Sequence, residues 1–270
     1  MTAPVFLFTP KTIEPADAPA SAQPGSILML TGPEARHAVT VRRLRSEEHV
    51  DLVDGTGLRL MCEVTRAGVG GAKDRLAVRV LQRIEEPAPP LRLTLVQALA
   101  KGGRDEQAVE TATEVGAELV LPWQSERCVS VWQGAKQAKG RQRWQATALQ
   151  AAKQARRARV PEVEEVRDTR ELVDWVGKTV QNGGVVLVLH EEAGTPISTA
   201  MESMRLPAPG AAPLGLAVVV GPEGGISPEE TAALEAAGAM TVRLGPHVMR
   251  TASAGPVALA VLAHTSGLWE

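Results

Sequence analysis

The sequence is poor in cysteine, in clusters of metal ligands and in long apolar runs. Its two cysteines, Cys62 and Cys128, lie far apart, so they provide neither a disulfide framework nor the paired ligands of a structural zinc site. The five histidines show no metal-ligand spacing, and we expect no metal. The longest apolar runs, such as Leu214–Val220, are far shorter than the roughly 18 residues of a membrane-spanning helix. With no positive flank at the N-terminus, we expect a cytoplasmic protein without a secretory signal or a membrane partner.

Aromatic residues and net charge are also scarce. The chain has no Tyr, two Phe and five Trp, which disfavours a platform on which single-stranded bases stack. Its 29 basic and 31 acidic residues give a net charge of −2, but the basic residues are clustered. No acidic residue occurs between Lys136 and Arg159, and a second basic group spans Arg36–Arg45. Such groups form either solvated helix faces or patches that bind a phosphate backbone.

A proline-rich stretch divides the chain into two parts of different pattern. The run Glu85–Pro90 contains three prolines and is typical of a stiff, extended linker. Short strand-like segments with turns precede it, among them an Asp54-Gly55 pair that predicts a hairpin. They predict a small β-barrel domain over residues 1–86 with a helix near Pro33–Leu44. After a linker at 87–90, strands alternate with helices, one of which Asp168 can cap. Residues 91–270 should therefore form an α/β domain with a mostly parallel sheet.

Several common catalytic motifs are missing. No G-x-G-x-x-G follows a strand and no G-x-S-x-G occurs, which argues against an ordinary dinucleotide fold and a serine-hydrolase elbow. Gly177-Lys178-Thr179 resembles the end of a phosphate-binding loop, but Leu172 stands where that motif needs glycine. The sequence therefore gives no sign of either chemistry.

Three unusual loops follow three late strands of the predicted sheet. They are Leu189–Glu192, Gly221–Gly225 and Leu244–Thr251. The second precedes Ser227-Pro228-Glu229-Glu230, the pattern of a capped helix start. Ligands of open α/β sheets bind outside the carboxyl ends of the strands, and glycines allow the main chain to approach a ligand closely. Each loop alone could be a tight turn, but together the three predict one composite binding pocket.

These motifs resemble those of the bacterial 16S ribosomal RNA uracil-N3 methyltransferases. The resemblance rests on GPEGG at Gly221–Gly225, LGPHVMRT at Leu244–Thr251, SERC at Ser125–Cys128 and Lys101-Gly102 before a helix. The basic group near the N-terminus also resembles that family, and the motifs occur in order over nearly the whole chain. Two positions depart from the family pattern, since Ala252 and Lys153 stand where glutamate is usual.

The resemblance implies a fold, a cofactor and partners. The fold would be a PUA-like β-barrel followed by a SPOUT-type parallel sheet whose C-terminal segment forms a trefoil knot. The cofactor would be S-adenosyl-L-methionine, and the partner 16S rRNA or the small ribosomal subunit. The protein would be a homodimer, with the apolar helix Ala254–Thr265 contributing to the interface.

The resemblance also assigns candidate site residues. The predicted cofactor-binding residues are Leu189, His190, Gly221, Glu223, Gly224, Gly225, Leu244, Gly245, Met249 and Thr251. The arginines predicted to contact RNA phosphates are Arg36, Arg42, Arg43, Arg45, Arg156, Arg157 and Arg159. We expect the RNA to be held by both domains, and Lys153 to make the RNA-facing helix more basic.

Methyl transfer to uracil N3 requires loss of the N3 proton, which suggests two catalytic candidates. Arg250 could stabilise the resulting anion through a charge-assisted hydrogen bond to a carbonyl oxygen of the uracil. Glu223 could accept the proton, directly or through water, or it could instead bind the cofactor or brace its own loop. Ala252 cannot serve as a base.

Two other functions are compatible with the same motifs. One is a related SPOUT enzyme that methylates the ribose 2′-hydroxyl of tRNA or rRNA. The other is a non-catalytic RNA-binding module that has kept the fold and lost the pocket, although the intact glycine loops argue against that loss.

Overall fold

The computed structural model describes residues 3–202 and 212–269. The chain forms two compact units, one of Met1–Ala88 with Ala152–Val160 and the other of Pro89–Ala151 with Pro161–Glu270. The segment Ala152–Val160 therefore belongs to the first unit, whereas the sequence placed it inside the domain at 91–270. The segment continues the preceding basic stretch without a break in composition, so the sequence contains no local sign that it returns to the first unit.

The first unit is built on one six-stranded sheet. Its strands are β1 (Val5–Leu7), β2 (Ile13–Glu14), β3 (Ile27–Thr31), β4 (His49–Val53), β5 (Leu58–Ala67) and β6 (Arg75–Glu85), in the order β1-β4-β5-β6-β3-β2. Only β1 and β4 are parallel, and the other pairs are antiparallel. The predicted β-rich character is correct, and buried side chains such as Phe6, Leu30 and Leu60 form its core.

The turn between β4 and β5 shows how the local sequence fixes the sheet. The Oδ1 atom of Asp54 accepts hydrogen bonds from the backbone N–H groups of Thr56, Gly57 and Leu58 at 2.7–3.0 Å. Gly55 has a φ of +83°, which glycine adopts without strain. An Asp-Gly turn between alternating apolar residues thus forms the predicted hairpin.

The helical segments of the first unit are short. Helix α1 spans Ala18–Ser21 and α2 spans Gly32–Arg36. A π-helical turn follows at His37–Val41, and a 3₁₀ turn lies at Val69–Gly71. The predicted helix over Pro33–Leu44 is therefore present but ends earlier and changes its winding.

The returning segment is fixed to the first unit by packing and by polar contacts. Ala158 is fully buried with Val5 and Val53, and the Val160 N–H donates to the Gly55 carbonyl at 3.0 Å. Lys153 Nζ lies 2.7 Å from Glu34 Oε1 and 6.0 Å from the ring centre of Phe6. These contacts explain why the segment belongs to this unit.

The second unit contains a seven-stranded, wholly parallel sheet with helices on both faces. Its strands are β7 (Leu91–Ala98), β8 (Leu119–Gln124), β9 (Glu162–Val163), β10 (Arg167–Asp168), β11 (Val185–Leu189), β12 (Leu214–Val220) and β13 (Met240–Val242). Its helices are α3 (Arg104–Val115), α4 (Ala135–Gln154), α5 (Thr169–Gln181), α6 (Ile197–Glu202), α7 (Pro228–Ala236) and α8 (Thr251–Thr265). The last three residues of α4 belong to the first unit. The strand order is β10-β8-β7-β12-β11-β13, with β9 also paired to β8. The predicted parallel α/β architecture is confirmed.

Alternate residues of each central strand face opposite layers of the core. Leu93 and Leu95 of β7 pack in one apolar cluster with residues of α3, α4 and α8. Val96 and Ala98 pack in a second cluster with residues of α5 and α7. Because both faces are covered, the central strands β11 and β12 contain no polar side chain, as is typical of buried parallel sheets.

Two helices begin at capping boxes, and the sequence predicts Asp168 as the cap of one and the full box at Ser227 for the other. Asp168 caps α5 with Glu171, and Ser227 caps α7 with Glu230. Each pair satisfies two backbone N–H groups that have no partner inside the helix. The start of α7 is thereby fixed directly after the glycine-rich loop.

Helix α8 packs against α3 and against the sheet of its own unit. A Cβ on Gly255 would lie 2.5 Å from Leu95 Cδ1 and 3.0 Å from Val220 Cγ2, so the helix backbone lies close to β7 and β12. Ser253, Val257 and His264 remain exposed. The apolar character of this helix therefore reflects burial in its own unit first. No helix in the described parts of the chain is both long and apolar enough to span a membrane.

The half-buried Lys153–Glu34 pair gives a stability prediction. Lys153→Met should lower the free energy of unfolding by about 1–3 kcal/mol, because the Glu34 carboxylate loses its ammonium partner and keeps the weaker hydrogen bond from the Leu7 N–H. Urea denaturation measures the change. Adding Glu34→Gln should recover much of the loss, since no unpaired charge then remains. Unchanged stability of Lys153→Met would show that the pair contributes nothing to the fold.

Candidate active site

The three loops predicted from sequence lie side by side at one edge of the sheet. Strand β11 pairs in parallel with β12 on one side and with β13 on the other, so all three carboxyl ends share that edge. The His190 N–H donates to the Val242 carbonyl at 3.0 Å, which joins the first loop to the end of β13. The parallel sheet therefore brings the three loops together.

The glycine-rich second loop has little room for side chains. A Cβ on Gly221 would lie 2.6 Å from Ile226 Cγ1, and one on Gly224 would lie 3.3 Å from Arg127 Cβ. Gly225 has a φ of +72°, and its N–H donates to the Pro222 carbonyl at 3.0 Å. Glycine at these positions allows a tight turn with exposed main-chain groups.

A relay of hydrogen bonds connects the second loop to the start of α8. Thr251 Oγ1 donates to the Gly221 carbonyl at 2.8 Å and accepts from Gln97 Nε2 at 2.8 Å. Gln97 lies near the end of β7 and is fully buried. Thr251 is thus placed beside the glycine loop as predicted, whereas Gln97 was not identified from the sequence.

Glu223 is bound to the segment that precedes α3. Its Oε1 accepts from the Lys101 N–H and from Arg104 Nη1, both at 3.1 Å. Desolvation raises the pKa of Glu223, but hydrogen bonds from its own N–H and that of Lys101, with the Arg104 guanidinium, outweigh it and lower the pKa below its usual range. A carboxylate held in this way is a weak base, so the geometry favours a bracing role.

The third loop presents Arg250 at the start of α8. Arg250 is the N-cap residue, and its carbonyl accepts from the N–H groups of Ser253 and Ala254 at 2.8 and 2.9 Å. Its side chain is exposed, as are Met249 and Val248. The helix holds the backbone of Arg250 in place. Its guanidinium can therefore reach a ligand from a fixed Cα position.

The remaining predicted cofactor residues line the same edge. Leu189 and Leu244 are half-buried and pack against the core, and a Cβ on Gly245 would meet open space. His190 Nδ1 accepts from the Glu192 N–H at 3.2 Å, which leaves its Nε2 edge uninvolved in that bond. These residues supply apolar surface and main-chain polar groups together.

The loop after β8 also borders the glycine loop. Arg127 Nη1 donates to the Gly224 carbonyl at 3.3 Å. The buried carboxylate of Glu230 accepts from the Glu126 N–H at 2.8 Å and from Thr169 Oγ1 at 2.6 Å. The SERC motif drew attention to this loop in the sequence. For Glu230, however, the sequence predicted only a role in capping α7.

The cysteine of that motif is half-buried and packs against the core. Burial raises the pKa of the Cys128 thiol, although hydrogen bonding with Ser125 partly opposes the shift. Its Sγ lies 3.3 Å from Ser125 Oγ. These contacts favour a structural role for Cys128. Within residues 3–202 and 212–269, no group of three acidic, histidine or cysteine side chains is arranged to hold a metal.

All seven predicted RNA-contacting arginines belong to the first unit. Arg156 is exposed and has a φ of +59°, Arg157 is half-buried, and Arg159 is held in place by a bond from Nη2 to the Glu86 carbonyl at 2.9 Å. The other four are exposed: Arg36, Arg42, Arg43 and Arg45. Lys153, expected to add to the basic surface, is instead half-buried and paired with Glu34.

Comparison with known families agrees with this architecture. The model of an RNA methyltransferase domain matches residues 87–263, and that of an RNA methyltransferase PUA domain matches residues 30–71. Ribosomal RNA small subunit methyltransferase E of Mycobacterium tuberculosis is 46% identical over 91% of this chain and 89% of its own length. The Bacillus subtilis protein of that name is 28% identical over 88% and 90%.

Solved structures show the same fold over nearly the whole chain. Ribosomal RNA small subunit methyltransferase E of Neisseria gonorrhoeae, bound to S-adenosyl methionine, has a TM-score of 0.78 at 25% identity, covering 97% of this chain and 98% of its own. A putative methyltransferase of Legionella pneumophila, in complex with the same cofactor, has a TM-score of 0.76 at 26% identity, covering 98% of both chains. With a family model matching most of its length and a relative at 46% identity, this chain belongs to the ribosomal RNA small subunit methyltransferase E family.

Proposed function

We propose that this protein transfers a methyl group from S-adenosyl-L-methionine to N3 of a uridine in 16S rRNA. The observation that carries the proposal is the hydrogen bond from Thr251 to Gly221, which closes the second and third strand-end loops around one site. Family membership supplies the reaction class, and the resemblance of the loop motifs to uracil-N3 enzymes supplies the target atom.

The residues at this edge fit the cofactor. The flat adenine ring can approach the main chain closely only where no side chain intervenes. Gly221, Gly224 and Gly225 provide main chain of this kind. Leu189, Leu244 and Met249 offer apolar surface for the adenine, while loop N–H and carbonyl groups can bind its polar edge. The cofactor supplies an activated methyl on a sulfonium, so this chain's own task is to position the target and assist loss of its proton.

Arg250 is the proposed anion-stabilising residue. When the N3–methyl bond forms and the sulfur–methyl bond breaks, the N3 proton must leave the uracil. A guanidinium that donates to a carbonyl oxygen of the uracil favours the deprotonated ring by a charge-assisted hydrogen bond. The fixed backbone of Arg250 at the start of α8 suits that role.

Glu223 is proposed to brace the glycine loop. Its bonds to Lys101 and Arg104 hold the second loop to the segment after β7. Because its pKa is lowered, Glu223 is ionised at neutral pH. The brace is lost only when the pH falls through that lowered value.

Exposed arginines of the first unit are proposed to bind the rRNA backbone. Arg36, Arg42, Arg43 and Arg45 lie close together in sequence and are exposed, as phosphate contacts require. Arg159 is engaged with the Glu86 carbonyl, and for this residue a structural role is better supported.

The trefoil knot and the homodimer form the finer part of the proposal. The backbone of Arg243, after β13, is bonded to Thr195 and Ile197, and the chain then returns as α8 to β7 and β12. Such a return past an earlier connection is what a knotted C-terminal segment requires.

Exposed Val248 and Met249 beside the site suit a subunit interface. For a homodimer, sedimentation equilibrium would give twice the chain mass of 28.5 kDa.

The proposed function is tested by incubating the protein with small ribosomal subunits and cofactor labelled in the methyl group. Mass spectrometry of the nucleosides should locate the label on uracil N3. Label on a ribose 2′-oxygen would establish the alternative enzyme, and absence of cofactor binding in calorimetry would establish a non-catalytic module.

Arg250→Ala should lower kcat by about 10²-fold or more while cofactor affinity is kept, because one preorganised donor to the developing anion is lost. Single-turnover assays at saturating cofactor, with calorimetry, make the measurement. The matched control is Arg243→Ala, also exposed on this connection, which should keep wild-type kcat. Loss of cofactor affinity with unchanged turnover at saturation would assign Arg250 to binding.

Glu223→Gln and Arg104→Ala should have similar effects, because both break the same ion pair of 3.1 Å. We expect weaker cofactor binding and less than a tenfold fall in kcat at saturation. A general base contributes about 10²–10⁴-fold. If Glu223→Gln removes turnover to that extent and Arg104→Ala does not, Glu223 is the base.

Arg36→Ala and Arg42→Ala should each weaken rRNA binding and reduce the slope of log K against log salt by about one. Filter binding over a range of salt concentrations measures the slope. Arg75→Ala serves as the control, since Arg75 lies 3.0 Å from Glu14 in the same unit. Slopes that stay at the wild-type value would mean that these arginines are only a solvated face.

A further inference from the structure

Gln97 is a fully buried polar residue that the proposed mechanism leaves without a role. It pairs with Val220 in the β7–β12 ladder. Val220 is the residue immediately before the glycine loop. Its Nε2 donates to Thr251 Oγ1 at 2.8 Å and to the Ala98 carbonyl at 3.0 Å. Its Oε1 is buried and has no hydrogen-bond partner in the described residues.

The acceptor groups determine which atom donates in each hydrogen bond of this relay. The Thr251 hydroxyl gives its proton to the Gly221 carbonyl, so its oxygen can only accept from Gln97. Rotating the amide by a half-turn would place Oε1 against the Ala98 carbonyl, where two acceptors repel. The side chain therefore has one orientation, and it connects β7 to the second and third loops at once.

The energetics of the amide indicate that folding alone does not require it. A buried carbonyl oxygen without a partner loses its bonds to water and gains none in the protein. An apolar side chain of the same length would avoid that loss, although it would leave the Ala98 carbonyl without this donor. The two effects oppose each other, so glutamine at this position gives the fold little net advantage.

We propose that Gln97 is a positioning residue for methyl transfer. Its relay through Thr251 to Gly221 sets the distance between the glycine loop and the first residue of α8. Arg250 immediately precedes that residue, so the relay also sets where its guanidinium starts. The inference rests on the proposed function, because it is the bound cofactor and the uracil whose relative placement the relay controls.

The test is Gln97→Met, which keeps the side-chain length and removes the amide. We expect affinity for S-adenosyl-L-methionine, measured by calorimetry on the full-length protein, to fall about tenfold or more. We also expect kcat at saturating cofactor to fall, because the start of α8, and Arg250 with it, is no longer held at a fixed distance from the glycine loop. Tm should shift by less than about 4 °C.

The matched control is Gln145→Met. Gln145 also bridges two elements, donating to the Pro161 carbonyl and accepting from the Val163 N–H at 2.9 Å each. Strand β9, which contains Val163, pairs with the beginning of β8, away from the carboxyl ends. Gln145→Met should lower Tm and leave cofactor affinity unchanged. Equal loss of affinity in both variants would overturn the proposal.

Thr251→Val breaks the same relay from its other end and serves if Gln97→Met does not fold. It should lower cofactor affinity, and the double variant should lose no more than the stronger single variant, because residues in one network are not additive. Additive losses, or wild-type affinity and kcat in Gln97→Met, would refute the relay. Failure of the wild-type protein to bind the cofactor would instead refute the proposed function.

Discussion

The parallel pairing of β7, β12, β11 and β13 is the constraint on which the site depends. Parallel strands end at the same edge of a sheet, so residues that are distant in sequence meet there without any local signal. Gln97, Gly221 and Thr251 illustrate this, because they come from β7, the loop after β12 and the start of α8. Backbone hydrogen bonds inside the sheet fix the strand ends, and only a few side-chain bonds are then needed to hold the loops.

Charged side chains serve two different purposes in this chain. Some are committed to the fold: Lys153 pairs with Glu34, and Arg59 lies 2.7 Å from Asp51 and 2.6 Å from Glu86. Others, such as Arg42 and Arg250, are exposed and suited to contacts with an RNA. Composition and spacing do not separate the two groups, because pairing depends on what lies opposite each charge.

The buried carboxylate of Glu230 links three parts of the site. It caps α7 through Ser227, and it accepts hydrogen bonds from the loop after β8 and from the start of α5. Three donors bind this buried carboxylate, namely the Glu126 N–H, the Ser227 N–H and the Thr169 hydroxyl, and an unpaired charge there would be strongly disfavoured. The loop that contains Arg127 is therefore tied to the helix that follows the glycine loop.

Much of the architecture was determined by the sequence itself. Alternating apolar residues, an Asp-Gly turn and two helix-capping residues are local signals, and they correctly predicted the hairpin at Asp54 and the starts of α5 and α7. The three strand-end loops were also identified from local glycine and charge patterns. What only the tertiary structure decided was which side chains face one another. Ala152–Val160 returns to the first unit, Glu223 is bound by Arg104, and Gln97 reaches Thr251. These contacts join residues far apart along the chain, and because their energies depend on distances set by packing, no local pattern encodes them.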